Sequence, residues 1–141
     1  MEIQHRHLGG VTYSEDEVVT FPQGLLGFLR FKKYVFLQPS EYLPFRWMIS
    51  IENPEVSFML MNPLTCCTDY SPNITRRDLN ELSAENPQSL EMYSIVTMNL
   101  DPRLATVNLS GPILVNKPMK IGKQLVLLDD RYSTKHRIIQ S

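Results

Sequence analysis

The 141 residues predict an all-β, mainly antiparallel fold, a barrel or a sandwich, carrying one short helix. Three observations carry that prediction. Apolar residues recur mostly with the alternation of half-buried strands, not with a helical period. The runs are short and lie between turn residues such as Gly9-Gly10, Pro22-Gln23-Gly24, Asn53-Pro54, Asp101-Pro102 and Asn116-Lys117-Pro118. Only one stretch has a helix start, so strands do not alternate with helices as in a parallel sheet.

In chain order, Glu2 to Leu8 reads as a first strand turned by Gly9-Gly10, and Glu15 to Phe21 as a second. Leu25 to Phe31 places five large apolar residues around Gly27, a loop that plugs one end of the sheet. Lys33 to Gln38 is a third strand. Arg46 to Ile51 sets Trp47, Ile49 and Ile51 on one face, and Ser57 to Asn62 returns after Asn53-Pro54. There Phe58 and Leu60 oppose Met59 and Met61, so the strand is either covered on both faces or exposes a sticky one. Leu64 to Ile74 is irregular. Thr75 then reads as a helix N-cap with Asp78 in a capping-box position, Leu79 and Leu82 face the core, and the helix stops before Pro87. Leu90 to Leu100 is a long strand with a bulge, because its apolar residues change parity. Last comes a meander: Ala105 to Ser110, Ile113 to Val115 and Gln124 to Leu128.

The length suits one domain, residues 1–141, with a sizeable core. With 43% hydrophobic and 21% charged residues, the chain is globular and not disordered. A formal net charge of -1 gives no bulk attraction to nucleic acid or an anionic membrane. The charge is unevenly spread: Met48 to Leu100 holds two basic and seven acidic residues, a net of -5. Asp101 to Ser141 holds seven basic and three acidic, a net of +4. The N-terminus lacks the apolar core of a secretory signal, and no apolar run is long enough for a membrane span. Cys66 and Cys67 are adjacent, so they read as two reduced thiols and the compartment as cytoplasmic.

Chemistry-bearing patterns are sparse. Gly24 and Gly27 lack the lysine and strand-to-helix context of a phosphate loop, and no serine sits in a nucleophile elbow. No cofactor is expected. The most tempting metal pattern is His5-Arg6-His7 with His136 as a distant third, the basis of an alternative reading as a metal- or ligand-binding barrel, possible enzyme included. Polar residues on an exposed strand explain the same pattern more simply. Asp69 would raise the pKa of the neighbouring thiols, which argues against a catalytic cysteine. Tyr132, Lys135 and Arg137 are a weak match to an RNA-tracking tail, and direct nucleic-acid binding is not expected.

The segment Phe21-Pro22-Gln23-Gly24-Leu25-Leu26-Gly27-Phe28 resembles the flagellar assembly factor FliW family. The resemblance continues through Pro44-Phe45-Arg46-Trp47-Met48, Asn53-Pro54, Phe58, Asn62-Pro63, Ile95-Val96-Thr97, Thr106 to Asn116, Gly122-Lys123-Gln124 and Arg131 to His136. It covers nearly the whole chain in order. It implies a small antiparallel β-barrel without enzymatic activity. It also implies two protein partners: cytoplasmic flagellin, and the translational regulator CsrA, whose repression of flagellin mRNA the family relieves. This chain departs from the family pattern in lacking aromatic residues at Leu64 to Cys67 and in being nearly neutral. On that reading the partner-binding candidates are Glu52, Glu55, Asp69 and Glu81 as an acidic edge, Met59 and Met61 as an adaptable apolar patch, and Tyr70 in the loop that follows.

Overall fold

The computed structural model describes residues 1–139. Strands β1 (Glu2–His5) and β2 (Gly9–Thr12) form a separate antiparallel hairpin. The larger sheet contains β3 (Val19–Thr20), β4 (Lys33–Leu37), β5 (Arg46–Ser50), β6 (Ser57–Met61), β7 (Glu91–Thr97), β8 (Thr106–Val107), β9 (Ile113–Asn116), β10 (Ile121–Gln124) and β11 (His136–Arg137). Because β7 also pairs with β9, the strands β3, β4, β5, β6, β7, β9 and β10 close into a seven-stranded barrel. All but one of its pairings are antiparallel. The exception is β10 on β3, joined in parallel at Ile121 and Thr20.

Strand parity decides what fills the barrel. Tyr34, Met48, Leu60, Tyr93, Ile113 and Val115 point inward and pack with Phe21 and Leu25. The opposite parity of β4 and β5, Val35, Trp47 and Ile49, is covered by Ile3 and Val11 of the β1–β2 hairpin. Strand β6 is therefore apolar on both faces for a reason: Phe58 and Leu60 look inward, while Met59 and Met61 lie under outer layers. One such layer is built from Tyr70, Leu127, Tyr132 and Ile138 over Val96, Val107 and Leu109.

Several boundaries differ from the sequence expectation. The second strand shrinks to Val19–Thr20, because Ser14 opens a 3-10 turn over Glu15–Glu17 and receives the Glu17 carboxylate on its own N–H at 2.9 Å. A serine followed by acidic residues is a helix-start signal, and it outweighs the weak alternation there. The first strand ends at His5; the turn is Arg6-His7-Leu8, and Gly9-Gly10 belongs to β2. The meander also shifts. Its last strand is Ile121–Gln124, paired residue by residue with Asn116–Ile113 after a tight turn, and Leu128 stands 94% exposed beyond it. The first meander strand shortens to Thr106–Val107 because Asn108 turns its side chain onto the N–H groups of Ser110 and Gly111, both at 3.0 Å. Strands β8 and β9 thus share one flank of β7 with this break between them.

The helix forms as its cap dictates. Helix α1 (Arg76–Glu81) starts at Thr75, whose hydroxyl accepts from the Asp78 N–H at 3.1 Å while Asp78 accepts from the Thr75 N–H at 3.0 Å. Leu79 and Leu82 are buried, and Asn116 of β9 donates to the Leu82 carbonyl at 2.8 Å, capping the far end. Leu25 to Phe31 has no regular element, as expected; Leu25 enters the core, while Leu26 and Leu29 face outward. At Gly24 (φ +66°) a Cβ would lie 2.5 Å from the Leu29 carbonyl oxygen, so that turn requires glycine. No helix among the described residues is long and apolar enough to cross a membrane.

Candidate functional site

Two recesses flank β5 and β6. The first is a groove of about 690 Å³ between β6, β7 and the loop that follows β6. Its apolar lining includes Met61, Leu64, Ile74, Leu90, Met92 and Leu114. A polar wall crosses it. Arg46 has the inward parity of Met48 but lies at the end of β5, and its Nη1 donates to the Tyr93 hydroxyl at 2.9 Å. The guanidinium carbon sits 5.3 Å from the centre of the Tyr93 ring. The Tyr93 hydroxyl in turn donates to Glu91 Oε1. Burial, the hydrogen bond to Glu91 and the Glu91 charge all push the Tyr93 phenol up, against the pull of Arg46. Its proton is held at any physiological pH.

The second recess, about 710 Å³, lies between the β1–β2 turn and the outer face of β5 and β6. Aromatic rings dominate it: His5 meets Trp47 edge-on at 4.8 Å, His7 stacks on Trp47 at 5.6 Å and Tyr42 meets it edge-on at 5.5 Å. Both nitrogens of His5 are engaged within the fold. Nδ1 accepts from the N–H groups of His7 and Leu8, each at 3.2 Å, and Nε2 lies 3.0 Å from the Ser57 hydroxyl. With Nδ1 as the acceptor, the proton sits on Nε2. His5 is thus a buried structural histidine with no lone pair directed outward, which removes the geometric basis of the His5 and His7 metal alternative. No group of three or more His, Cys, Asp or Glu side chains among the described residues is placed to hold a metal ion.

The seven candidate partner residues do not form one patch. Glu55 and Met59 line the aromatic recess, whereas Met61 and Tyr70 line the groove. Met61 and Tyr70 are buried, so neither offers much surface of its own; the Tyr70 hydroxyl donates to the Leu109 carbonyl at 2.6 Å and ties its loop to the barrel. Burial first, and then the neighbouring Tyr132 and Cys67, push its phenol up. Glu52 accepts from the backbone N–H groups of Lys32 at 2.6 Å and Lys33 at 2.9 Å, a loop-holding contact. Glu81 pairs with Arg77 at 3.1 Å and also with Lys123, which bonds Asp78 at 2.7 Å. Of the four acidic candidates, Glu55 and Asp69 keep exposed carboxylates that neither join an ion pair nor hold a backbone N–H among the described residues. Burial, aided by Asp69 at Cys67, pushes both free thiols up, as the sequence predicts for unreactive cysteines.

Neither Arg46 nor Tyr93 stands out in the sequence as a groove residue. A signal was available for Arg46: a charge two residues before the inward-facing Met48 falls on an inward position of the same strand. For Tyr93 none was, since its meeting with Arg46 depends on β7 being brought beside β6 and β9.

Residues 2–138 match the family model described as FliW protein. A flagellar assembly factor FliW from Geobacter sulfurreducens is 36% identical over 96% of this chain and 85% of its own. One from Alkaliphilus metalliredigens is 33% identical over 99% and 87%. A crystal structure of the flagellar assembly factor FliW superposes with a TM-score of 0.94 at 30% identity, covering 100% of this chain and 99% of that one. With the same fold and this extent of shared sequence, the chain belongs to the FliW family of flagellar assembly factors.

Proposed function

We propose that this protein is a non-enzymatic, cytoplasmic adaptor that binds flagellin and antagonises CsrA, relieving repression of flagellin mRNA and coupling flagellin synthesis to secretion. The observation that carries the reading is the groove beside β6 and β7, in a chain that matches its family from residue 2 to residue 138. An apolar floor crossed by a charged wall suits a flagellin segment that is disordered when free and buries apolar side chains on docking. The half-buried Met92 in the lining adds a thioether that adapts to such a guest. Antagonism of CsrA draws on local negative charge, to which the exposed carboxylates of Glu55 and Asp69 contribute.

The test is retention of flagellin and of CsrA by the purified protein, each offered separately. Both should be retained, and a result in which neither is retained sinks the adaptor reading. Glu55→Lys and Asp69→Lys should weaken CsrA retention without loss of folding. Glu52→Lys is a poorer probe, because it also removes the acceptor for the Lys32 and Lys33 N–H groups.

A further inference from the structure

We infer that Arg46 is a carboxylate anchor in the groove, and that the segment docking there carries an aspartate or glutamate side chain flanked by apolar residues. This rests on the flagellin-binding reading above. Arg46 is half-buried and uses one N–H, on the Tyr93 hydroxyl. Among the described residues it takes part in none of the ion pairs closer than 4.0 Å. Glu91 lines the same groove, yet the Tyr93 hydroxyl stands between the two charges and occupies one carboxylate oxygen. The protein therefore holds a partly desolvated guanidinium fork without a matching fork of its own.

Charge complementarity selects the occupant. Arg46 is the single cation of the groove lining and Glu91 its single anion. A singly charged carboxylate can take the planar guanidinium fork with two parallel hydrogen bonds. A doubly charged phosphate would meet Glu91 with no second cation to offset it. The apolar walls, Leu64 and Met92 among them, exclude water once covered and so strengthen that pair.

The experiment compares flagellin binding to the wild-type protein and to Arg46→Gln, Arg46→Lys and Leu64→Asp, by calorimetry at two salt concentrations, with folding checked by thermal melts. Loss of one charge-assisted bond pair predicts roughly ten- to hundred-fold weaker binding for Arg46→Gln. Arg46→Lys should fall between, since it keeps the charge but not the fork. Leu64→Asp, at an exposed rim position that leaves the core intact, should also weaken binding by placing a carboxylate beside the incoming one. In a second arm, Asp→Asn and Glu→Gln changes across flagellin are combined with Arg46→Gln, and one side chain should show coupling. If wild type binds flagellin while Arg46→Gln binds equally well with the same salt dependence, the anchor is overturned and the adaptor reading stands. Coupling seen only on amidating the flagellin chain end would overturn the side-chain assignment. Absence of flagellin binding by wild type would overturn both.

Discussion

His5 fastens the β1–β2 turn to the barrel through an unprotonated Nδ1 and a protonated Nε2. Burial, followed by the charges of His7 and Arg6, lowers its pKa below 6.5. The folded protein therefore binds this proton less readily than the unfolded chain. The resulting stability is fully present above about pH 6.5 and is lost as pH falls through the lowered folded value. Denaturant midpoints measured from pH 7.5 downward should fall across that window. His5→Asn keeps an acceptor for the turn and cannot titrate, so its midpoints should fall less; equal slopes would rule the assignment out. Gly122 is a second point of residue-scale control. A Cβ there would lie 2.5 Å from the Phe21 ring in the filled barrel, so Gly122→Ala should cost about 1–3 kcal/mol of stability by overpacking, measured by chemical denaturation. The sequence places Gly122 in a family-like segment, but the ring that demands glycine comes from far along the chain.

Helix α1 is short, and most of its hold on the barrel comes from its two ends and from Lys123. Burial opposes ionisation of Asp78, but the Lys123 ammonium and the Thr75 donors outweigh it and keep the carboxyl below its ordinary value. Lys123 likewise lowers Glu81, and the two carboxylates together raise Lys123 despite its burial. The signs give a plateau. The carboxylate contributions are present above the ordinary values of 3.8 and 4.5 and vanish as pH falls through the lowered ones. The Lys123 contribution is present below 10.5 and is lost as pH rises through its raised value. Lys123→Met should destabilise by up to about 3–5 kcal/mol, because it strands Asp78 in a mostly buried place, and should flatten the acid limb. Thr75→Ala should cost about 1 kcal/mol through loss of the cap. Thermal melts across pH check both.

Closure of seven strands leaves the core of the barrel without an unpaired edge, so its strands cannot come apart one at a time at low cost. Heat unfolding should accordingly be a single transition with matching calorimetric and van't Hoff enthalpies. A net charge of -1 supplies no general attraction to polyanions. In a gel shift the protein alone should leave flagellin mRNA unshifted, and in the presence of CsrA it should release that RNA.

What the sequence determined by itself is local in the chain. Alternation along Arg46 to Asn62 sorted Met48 and Leu60 from Trp47 and Met61. The Thr75 and Asp78 cap lies within three residues, and the run of turn residues excluded a helical or parallel architecture. Tertiary structure decided everything that needs distant residues to meet. It closed the barrel through β7 on β9 and the parallel β10 on β3, buried Met61 and Tyr70, and took Glu81 out of the acidic edge by pairing it with Lys123 across 42 positions. It also left Arg46 in the groove outside any of the ion pairs among the described residues, with the Tyr93 hydroxyl between it and Glu91. Periodicity and capping are written over a few neighbouring residues; which charge finds a partner depends on where the sheet closes.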